Sequence, residues 1–326
     1  MLPKGHVIGT GGTISSVGAT TIDYLSYPLS GKRVNSKELL SLIVDEKTDF
    51  NLTFRDFDPV SSTENGPPFW GRLLAEISGV QNQIDGIVIT HGTGTLEETA
   101  FAIDLFSSAD VPIVFTGAQR PNGTLSSDVA YNFWSALKVA STIDARGRGV
   151  LVVIDGGIHT AADVTKISNF GLNAFQSEPA GEVGRVEGAS LVFRRTSPPR
   201  HPALEWRSGA EWPRVEIVMS YAGADGAQIR AALASGAAGI VVAGLAPGYA
   251  TPEQRRELNQ AREAGIPIVM SSRATIGPTA ALSQNAVAGL IGSRCLNPAK
   301  SRVLLAACIM NEFNLSEIDM LFSRYA

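Results

Sequence analysis

Three compact apolar runs in the first 121 residues each end in a turn built from glycine and hydroxyl-bearing residues. Gly5 to Gly9 leads into Gly9-Thr10-Gly11-Gly12-Thr13. Gly86 to Thr90 leads into Thr90-His91-Gly92-Thr93-Gly94-Thr95, and Val111 to Thr116 into Thr116-Gly117-Ala118-Gln119-Arg120-Pro121. Short continuous apolar runs of this kind are the mark of strands buried on both faces of a parallel sheet. Gly149 to Ile154 is a fourth run. Between them Leu96-Ala100-Ile103 and Val129-Phe133-Leu137 recur every three to four residues, which puts their side chains along one helical face. Strands alternating with helices predict an α/β fold.

The alternation restarts with apolar runs at Val215 to Ser220, Gly239 to Ala243 and Ile266 to Ser271, and with helical patterns after Pro252 and after Pro298. At about 150 residues per domain, a chain of 326 residues with 44% hydrophobic content has material for two cores. The expectation is therefore two α/β domains: a larger N-terminal one with a parallel-rich sheet over residues 1–193, and a smaller one with a parallel sheet over 214–326. The stretch from Arg194 to Pro213 reads as the linker, because Pro198, Pro199 and Pro202 interrupt it and no periodicity survives there.

Charge and composition exclude several function classes. A net charge of -4 does not suggest a nucleic-acid partner, and the arginines of the linker read as solvated. The longest apolar stretch, Gly236 to Ala250, is broken by Pro247 and falls short of the ~18 residues that span a bilayer. Met1-Leu2-Pro3-Lys4 enters a strand-like run without the apolar core of a secretory signal, so a cytoplasmic protein is expected. Cys295 and Cys308 are too few for a disulfide framework or a CxxC metal site and read as buried thiols; no metal and no cofactor is expected.

In an open parallel sheet the ligand site lies beyond the carboxyl ends of the strands, which is where the three turns fall. Glycine lets a ligand approach main-chain N–H groups, and a threonine oxygen becomes a nucleophile once a base takes its proton. The first turn is not a dinucleotide fingerprint, because Ile14 stands at the third glycine position, and there is no GxxxxGK[ST] phosphate loop. An isolated turn of this kind is most simply structural, and Thr93 alone would be a helix cap. Recurrence after three strands of one sheet favours acyl transfer. His6 lies within a strand, His201 in the linker, and His159 follows the fourth strand without a matching carboxylate. His91 adjoins Thr93 in the second turn, and a serine-protease-like triad built on it is not favoured. Lys166, in Asp163-Val164-Thr165-Lys166, is the other candidate base, since a desolvated lysine loses proton affinity.

TGGTI at Thr10 to Ile14, THGTGTLEETA at Thr90 to Ala100, TGAQRP at Thr116 to Pro121, DVTK at Asp163 to Lys166 and LNPAKSRVLL at Leu296 to Leu305 together resemble the bacterial-type asparaginase and glutaminase family. The resemblance runs in order through both domains. It implies the family's two-domain fold and a threonine-dependent amidohydrolase that releases ammonia through an acyl-enzyme, in homotetramers assembled as pairs of dimers. On the matching positions Thr13 becomes the primary nucleophile, Thr93 the second threonine and Lys166 its partner. A loop tyrosine assisting Thr13 matches Tyr27 better than Tyr24, and the loop reads as a closing lid. Ser62 matches the serine that holds the substrate carboxylate, Gly92 belongs to the second turn, and Ala118 offers main-chain contacts beside the reacting amide. The N–H groups of Thr13 and Thr93 are placed to polarise the amide oxygen.

The departures from the family pattern concentrate around the substrate's amino group. Where the family reads THGTDT the chain has Gly94, where a Gln usually follows the carboxylate-binding Ser it has Thr63, a family Glu aligns with Gln284 and a family Asn with Tyr249. The resemblance therefore implies an amidohydrolase whose amide lacks a free α-amino group, with L-asparagine the ordinary alternative. Two other readings remain at this stage: a binding protein or sensor weakened by the loss at Gly94, and an NAD-type dehydrogenase, which the missing fingerprint glycine disfavours.

Overall fold

The structure, a computed structural model, describes residues 2–43, 50–196, 204–280, 282, 285 and 289–326. It divides into two compact units, Met1–Ala203 and Leu204–Ala326. Both are α/β, with an eight-stranded sheet in the first and a four-stranded sheet in the second.

The first sheet is built from β1 (Lys4–Gly11), β2 (Asn51–Val60), β3 (Gly86–Thr90), β4 (Ile113–Thr116), β5 (Val150–Ile154), β6 (Gly157–Thr160), β9 (Gly184–Glu187) and β10 (Ser190–Phe193). Its spatial order is β10-β9-β6-β5-β4-β3-β1-β2. β1 lies between β2 and β3, and β1 through β5 all run parallel. From β6 outward the pairing turns antiparallel. The register decides where the site forms. Gly9 pairs with Thr90, and Thr90 with Thr116, so the three glycine turns leave the sheet side by side. The Thr10 hydroxyl donates to the Thr90 carbonyl at 2.8 Å and the Thr116 hydroxyl to the Val153 carbonyl at 2.8 Å, so these hydroxyls bind the strand ends to each other.

Val7, Val88, Val114 and Leu151 stand on one face of the sheet in a core with Phe133, Ala136 and Leu137 of the helix Val129–Ala140. Each such large aliphatic or aromatic side chain, fully buried, contributes about 1.5–3 kcal/mol. The helix Leu96–Phe106 buries Leu96, Ala100, Phe101 and Ile103 completely, and its Thr99 hydroxyl accepts from the Trp70 indole at 3.1 Å. The sequence periodicity in these two helices is the periodicity of their buried faces.

The second sheet is parallel throughout, in the order β11 (Val215–Met219), β12 (Gly239–Gly244), β13 (Ile268–Ser272) and β14 (Ile291–Gly292). Val218, Ile240, Val242, Ile268 and Met270 pack with Ile229 and Leu258 from the helices Ala227–Ala234 and Pro252–Glu263. The latter starts at Thr251, whose hydroxyl accepts from Gln254 N while the Gln254 side chain accepts from Thr251 N. Among the described residues no helix is long and apolar enough to cross a membrane.

Two features differ from the sequence expectation or escaped it, and part of a third expectation lies outside the described residues. β2 is absent from it because its residues, NLTFRDFDPV, alternate polar with apolar rather than forming an apolar run, as suits the edge strand it is. Cys308 is buried as expected, its thiol pushed up to about 12 by desolvation, but Cys295 is exposed. Of the expected linker, residues 197–203 lie outside the described residues.

Candidate active site

Glycine turns can only converge if their backbones pack closely, and here they do. A Cβ built on Gly12, whose φ is +83°, would lie 2.3 Å from the Cα of Gly92. One on Gly117 would lie 2.7 Å from the His91 carbonyl oxygen and 3.0 Å from the Thr93 methyl. The first, second and third turns are thus stacked through positions where no side chain fits, which accounts for the doubled glycines that helix capping leaves unexplained.

Thr13 begins a short 3-10 turn, Thr13–Ser15, directly after Gly12, and is buried. Its hydroxyl shares a 2.6 Å hydrogen bond with the phenol of Tyr27, in which either oxygen is the donor. Tyr27 opens the short helix Tyr27–Ser30. Tyr24 is engaged elsewhere: its hydroxyl donates to the Leu125 carbonyl at 3.0 Å, and the Arg120 guanidinium lies over its ring. Of the two loop tyrosines, Tyr27 is the one beside Thr13.

The second threonine has a different partner. Lys166 Nζ donates to Thr93 Oγ1 at 2.7 Å. Lys166 belongs to the two-residue strand β7 (Thr165–Lys166), paired with β8 (Phe175–Gln176), and its main-chain N–H donates to a Glu97 carboxylate oxygen at 3.3 Å. Burial lowers the lysine's proton affinity below the ordinary value, and the Glu97 charge opposes that shift. Thr93 does not cap the helix; Thr95 occupies that position, and its hydroxyl donates instead to the Ser62 carbonyl at 2.7 Å.

That bond ties the Ser62–Glu64 turn to the second glycine turn. Ser62 is buried, and its Oγ lies 2.9 Å from the position a Cβ on Gly94 would take. Gly94 is exposed and its conformation does not require glycine, so the position lacks a side chain rather than forbidding one. Thr63 is exposed and its hydroxyl donates to Ser61 at 2.9 Å. Glu64, a conceivable counter-charge, accepts from its own turn's Ser61 N at 3.4 Å. Ala118 is fully buried behind the third turn. Gln284 lies outside the described residues, and Tyr249, in the second unit, is 40% exposed.

Two residues assigned no role from sequence organise this region. His91 is fully buried; its Nδ1 faces the Gly92 carbonyl at 2.8 Å and therefore carries the proton, leaving Nε2 to accept from Asn65 at 3.1 Å. Desolvation lowers its pKa to about 4, so the ring is a neutral brace between the Ser62 and Thr93 turns. Gln119 accepts at its Oε1 from Lys166 Nζ at 3.0 Å and from Thr93 at 3.2 Å. The signal for His91 was its place in the second glycine turn; for Gln119 there was only its place after the third strand. Among the described residues no group of three or more His, Cys, Asp or Glu is placed to hold a metal ion.

Comparison with known proteins gives a consistent result across both units. Residues 6–199 match the family described as "Asparaginase, N-terminal", and residues 214–322 match "Glutaminase/Asparaginase C-terminal domain". The chain is 31% identical to L-asparaginase 2 of Escherichia coli over 331 residues, covering 99% of this chain and 94% of that protein. It is also 31% identical over 330 residues to a glutaminase-asparaginase of Pseudomonas fluorescens, covering 98% and 90%. A crystal structure described as a probable cytoplasmic L-asparaginase from Campylobacter jejuni superposes with a TM-score of 0.92 at 28% identity, covering 99% of this chain and 100% of that one.

Proposed function

This chain belongs to the bacterial-type asparaginase/glutaminase family, and from that membership we propose that it hydrolyses a small linear carboxamide to acid and ammonia through an acyl-enzyme on Thr13. The observation that carries the reading is the pair of threonines on adjacent turns, each with its own proton partner: Tyr27 at 2.6 Å from Thr13 and Lys166 at 2.7 Å from Thr93.

In this reading Thr13 Oγ1 attacks the amide carbon as its proton passes towards Tyr27. The C–N bond breaks while the leaving nitrogen gains a proton and departs as ammonia. Water then opens the Thr13 ester, its proton taken by the Thr93–Lys166 pair and returned to Thr13 Oγ1, so that acid is released and the enzyme restored. The main-chain N–H groups of Thr13 and Thr93 face the amide oxygen as charge develops on it. Lowered proton affinity at Lys166 favours the uncharged amine that this step requires.

The substrate we favour lacks a free α-amino group: a dicarboxylic acid monoamide such as succinamate, or an N-acylated asparagine. Ser62 holds its carboxylate. An α-ammonium enclosed in a site needs a counter-charge, and an unpaired buried charge costs roughly 3–5 kcal/mol. Gly94 supplies none and Glu64 is committed to its own turn. A homotetramer, pairs of dimers, is the assembly the family implies, and a cytoplasmic location agrees with the description of the Campylobacter jejuni relative. The test is ammonia release from succinamate, N-acetyl-asparagine, L-asparagine and L-glutamine under one set of conditions. No turnover of any of them sinks the enzymatic reading in favour of a binding protein, and L-asparagine best by tenfold or more sinks the substrate preference.

A further inference from the structure

The Thr93–Lys166 pair sits among groups from four separate elements. Thr93 and Gln119 come from the turns after β3 and β4, Glu97 from the first turn of the helix Leu96–Phe106, and the Phe175 ring from β8, 5.9 Å from Lys166 Nζ. Glu97 receives the lysine's main-chain N–H and provides the charge that acts on its side chain. Beside Thr93 Oγ1, Lys166 Nζ donates to a second neutral acceptor, Gln119 Oε1, at 3.0 Å.

The Gln119 amide is fixed at both ends. Its Nε2 donates to the Gly171 carbonyl at 3.1 Å and approaches the Ser168 carbonyl at 3.5 Å, which forces Oε1 to face the lysine. Its main-chain N–H, with that of Arg120, is gripped by the buried Asp128 carboxylate at 2.9–3.1 Å, and Asn132 holds that carboxylate in turn. A long polar side chain immobilised through backbone, Nε2 and Oε1 has lost the freedom an exposed glutamine keeps, and the group it presents is an acceptor with two donors converging on it.

We infer that Gln119 is a positioning residue for the Thr93–Lys166 pair, an uncharged acceptor that aims the lysine at the threonine hydroxyl without holding the lysine in its protonated form. This rests on the proposed roles of Thr93 and Lys166. The chemistry explains why a neutral acceptor matters. A carboxylate at this distance favours the ammonium, typically by one to three pKa units, and so works against a lysine that must accept a proton. An amide oxygen orients the amine while leaving burial free to lower its proton affinity.

Gln119→Glu keeps length and shape and changes only the charge of the acceptor. The expected result is an acid limb of the kcat–pH profile moved upward by about one unit or more, with KM for the best amide changed less than threefold. Gln119→Leu removes the acceptor, and kcat should fall about tenfold to a hundredfold at unchanged KM. A readout independent of turnover is the titration of Lys166 followed by NMR of 13Cε-labelled lysine, assigned with Lys166→Met; its midpoint should rise in Gln119→Glu by the same amount as the kinetic limb. If neither the midpoint nor the limb moves, or if Gln119→Leu keeps kcat within twofold, the inference is overturned. Should Gln119→Leu fail to fold, the isosteric Glu variant alone decides. A wild-type protein that turns over no amide defeats the proposed function, whereas the lysine titration still decides the role of Gln119.

Discussion

The two threonine half-sites differ in how firmly they are held. Thr93 is fixed from every side: the lysine beside it is seated by a β-bridge, by Glu97 and by Gln119, and the turn that carries it is braced by the buried His91. Thr13 meets its partner across a loop whose neighbouring side chains Ile22, Leu25 and Leu29 are 69%, 70% and 89% exposed. One half, the proposed proton relay, is held by hydrogen bonds from several elements; the other is completed by a loop that is largely exposed. Such a division suits a reaction in which a substrate must enter before the nucleophile's partner closes over it, and in which water must later be activated in a fixed place.

Removing each hydroxyl in turn should separate the two halves most strongly. Thr13→Ala should lower kcat by four or more powers of ten, because the covalent step has no substitute. Thr93→Val should lower it by about three, in keeping with loss of general acid–base assistance. The species left behind should differ. Intact-mass spectrometry after mixing with substrate should find an acyl adduct on the Thr93→Val protein and none on Thr13→Ala. An adduct on Thr13→Ala, or near wild-type turnover by it, exchanges the roles of the two threonines.

Acid should loosen the braced half. The native pKa of His91, about 4, lies below the ordinary 6.5, so between these values the unfolded chain binds a proton that the native state refuses. Stability from this group is therefore complete above about pH 6.5 and is lost as pH falls towards 4, by about 3 kcal/mol in all. Urea denaturation at pH 7 and at pH 4.5 measures it, with His91→Gln as the reference in which this contribution is missing. Equal pH dependence in the two proteins would remove His91 as the brace.

Gly94 is an exposed position beside Ser62 on the braced half, and a carboxylate placed there tests what the site recognises. A Cβ there meets, among the described residues, only Ser62 Oγ at 2.9 Å, and a serine hydroxyl can rotate away. Gly94→Asp should therefore fold and should raise kcat/KM for L-asparagine relative to succinamate by roughly thirtyfold, about 2 kcal/mol of recovered charge pairing. No change in the ratio means that the α-ammonium is not recognised beside Gly94.

The contrast between halves also marks what the sequence could reveal. The buried strands and the two helices beneath the site were legible because apolar periodicity reports directly on burial, and the turns because Gly12, Gly92 and Gly117 have no room for a side chain. The motif threonines, Lys166 and Tyr27 were named from the order of motifs, and the fold brings them into the two pairs. Gln119 was quoted within a motif and given no role, since which of its atoms faces Lys166 is set by carbonyls at Ser168 and Gly171, some fifty positions along the chain. β2 escaped because an alternating edge strand lacks the apolar run of its neighbours. What the sequence lacks is long-range geometry, and roles that depend on it become visible only in the folded chain.

The smallest effect belongs to the loosely held half. Tyr27 touches Thr13 through one hydroxyl on an otherwise solvated loop, so Tyr27→Phe keeps the ring and loses the hydrogen bond at 2.6 Å. Because the side chains around that bond are exposed to solvent, water can take over part of the proton transfer, and kcat should fall about tenfold, well short of the loss in either threonine variant, with KM nearly unchanged. Tyr24→Phe is the matched control. Its hydroxyl spends its hydrogen bond on the Leu125 carbonyl, where it secures the loop and touches neither threonine, so kcat should stay within about twofold. The two variants carry the same chemical deletion three positions apart, and only the choice of partner differs. Steady-state kinetics on both, with the amide that proves best for the wild type, separates a proton role at Tyr27 from a general loosening of the loop: if Tyr24→Phe costs as much as Tyr27→Phe, the loop acts as a cover alone, and the division between a fixed relay and a closing partner has to be redrawn with Thr13 activated from within the sheet.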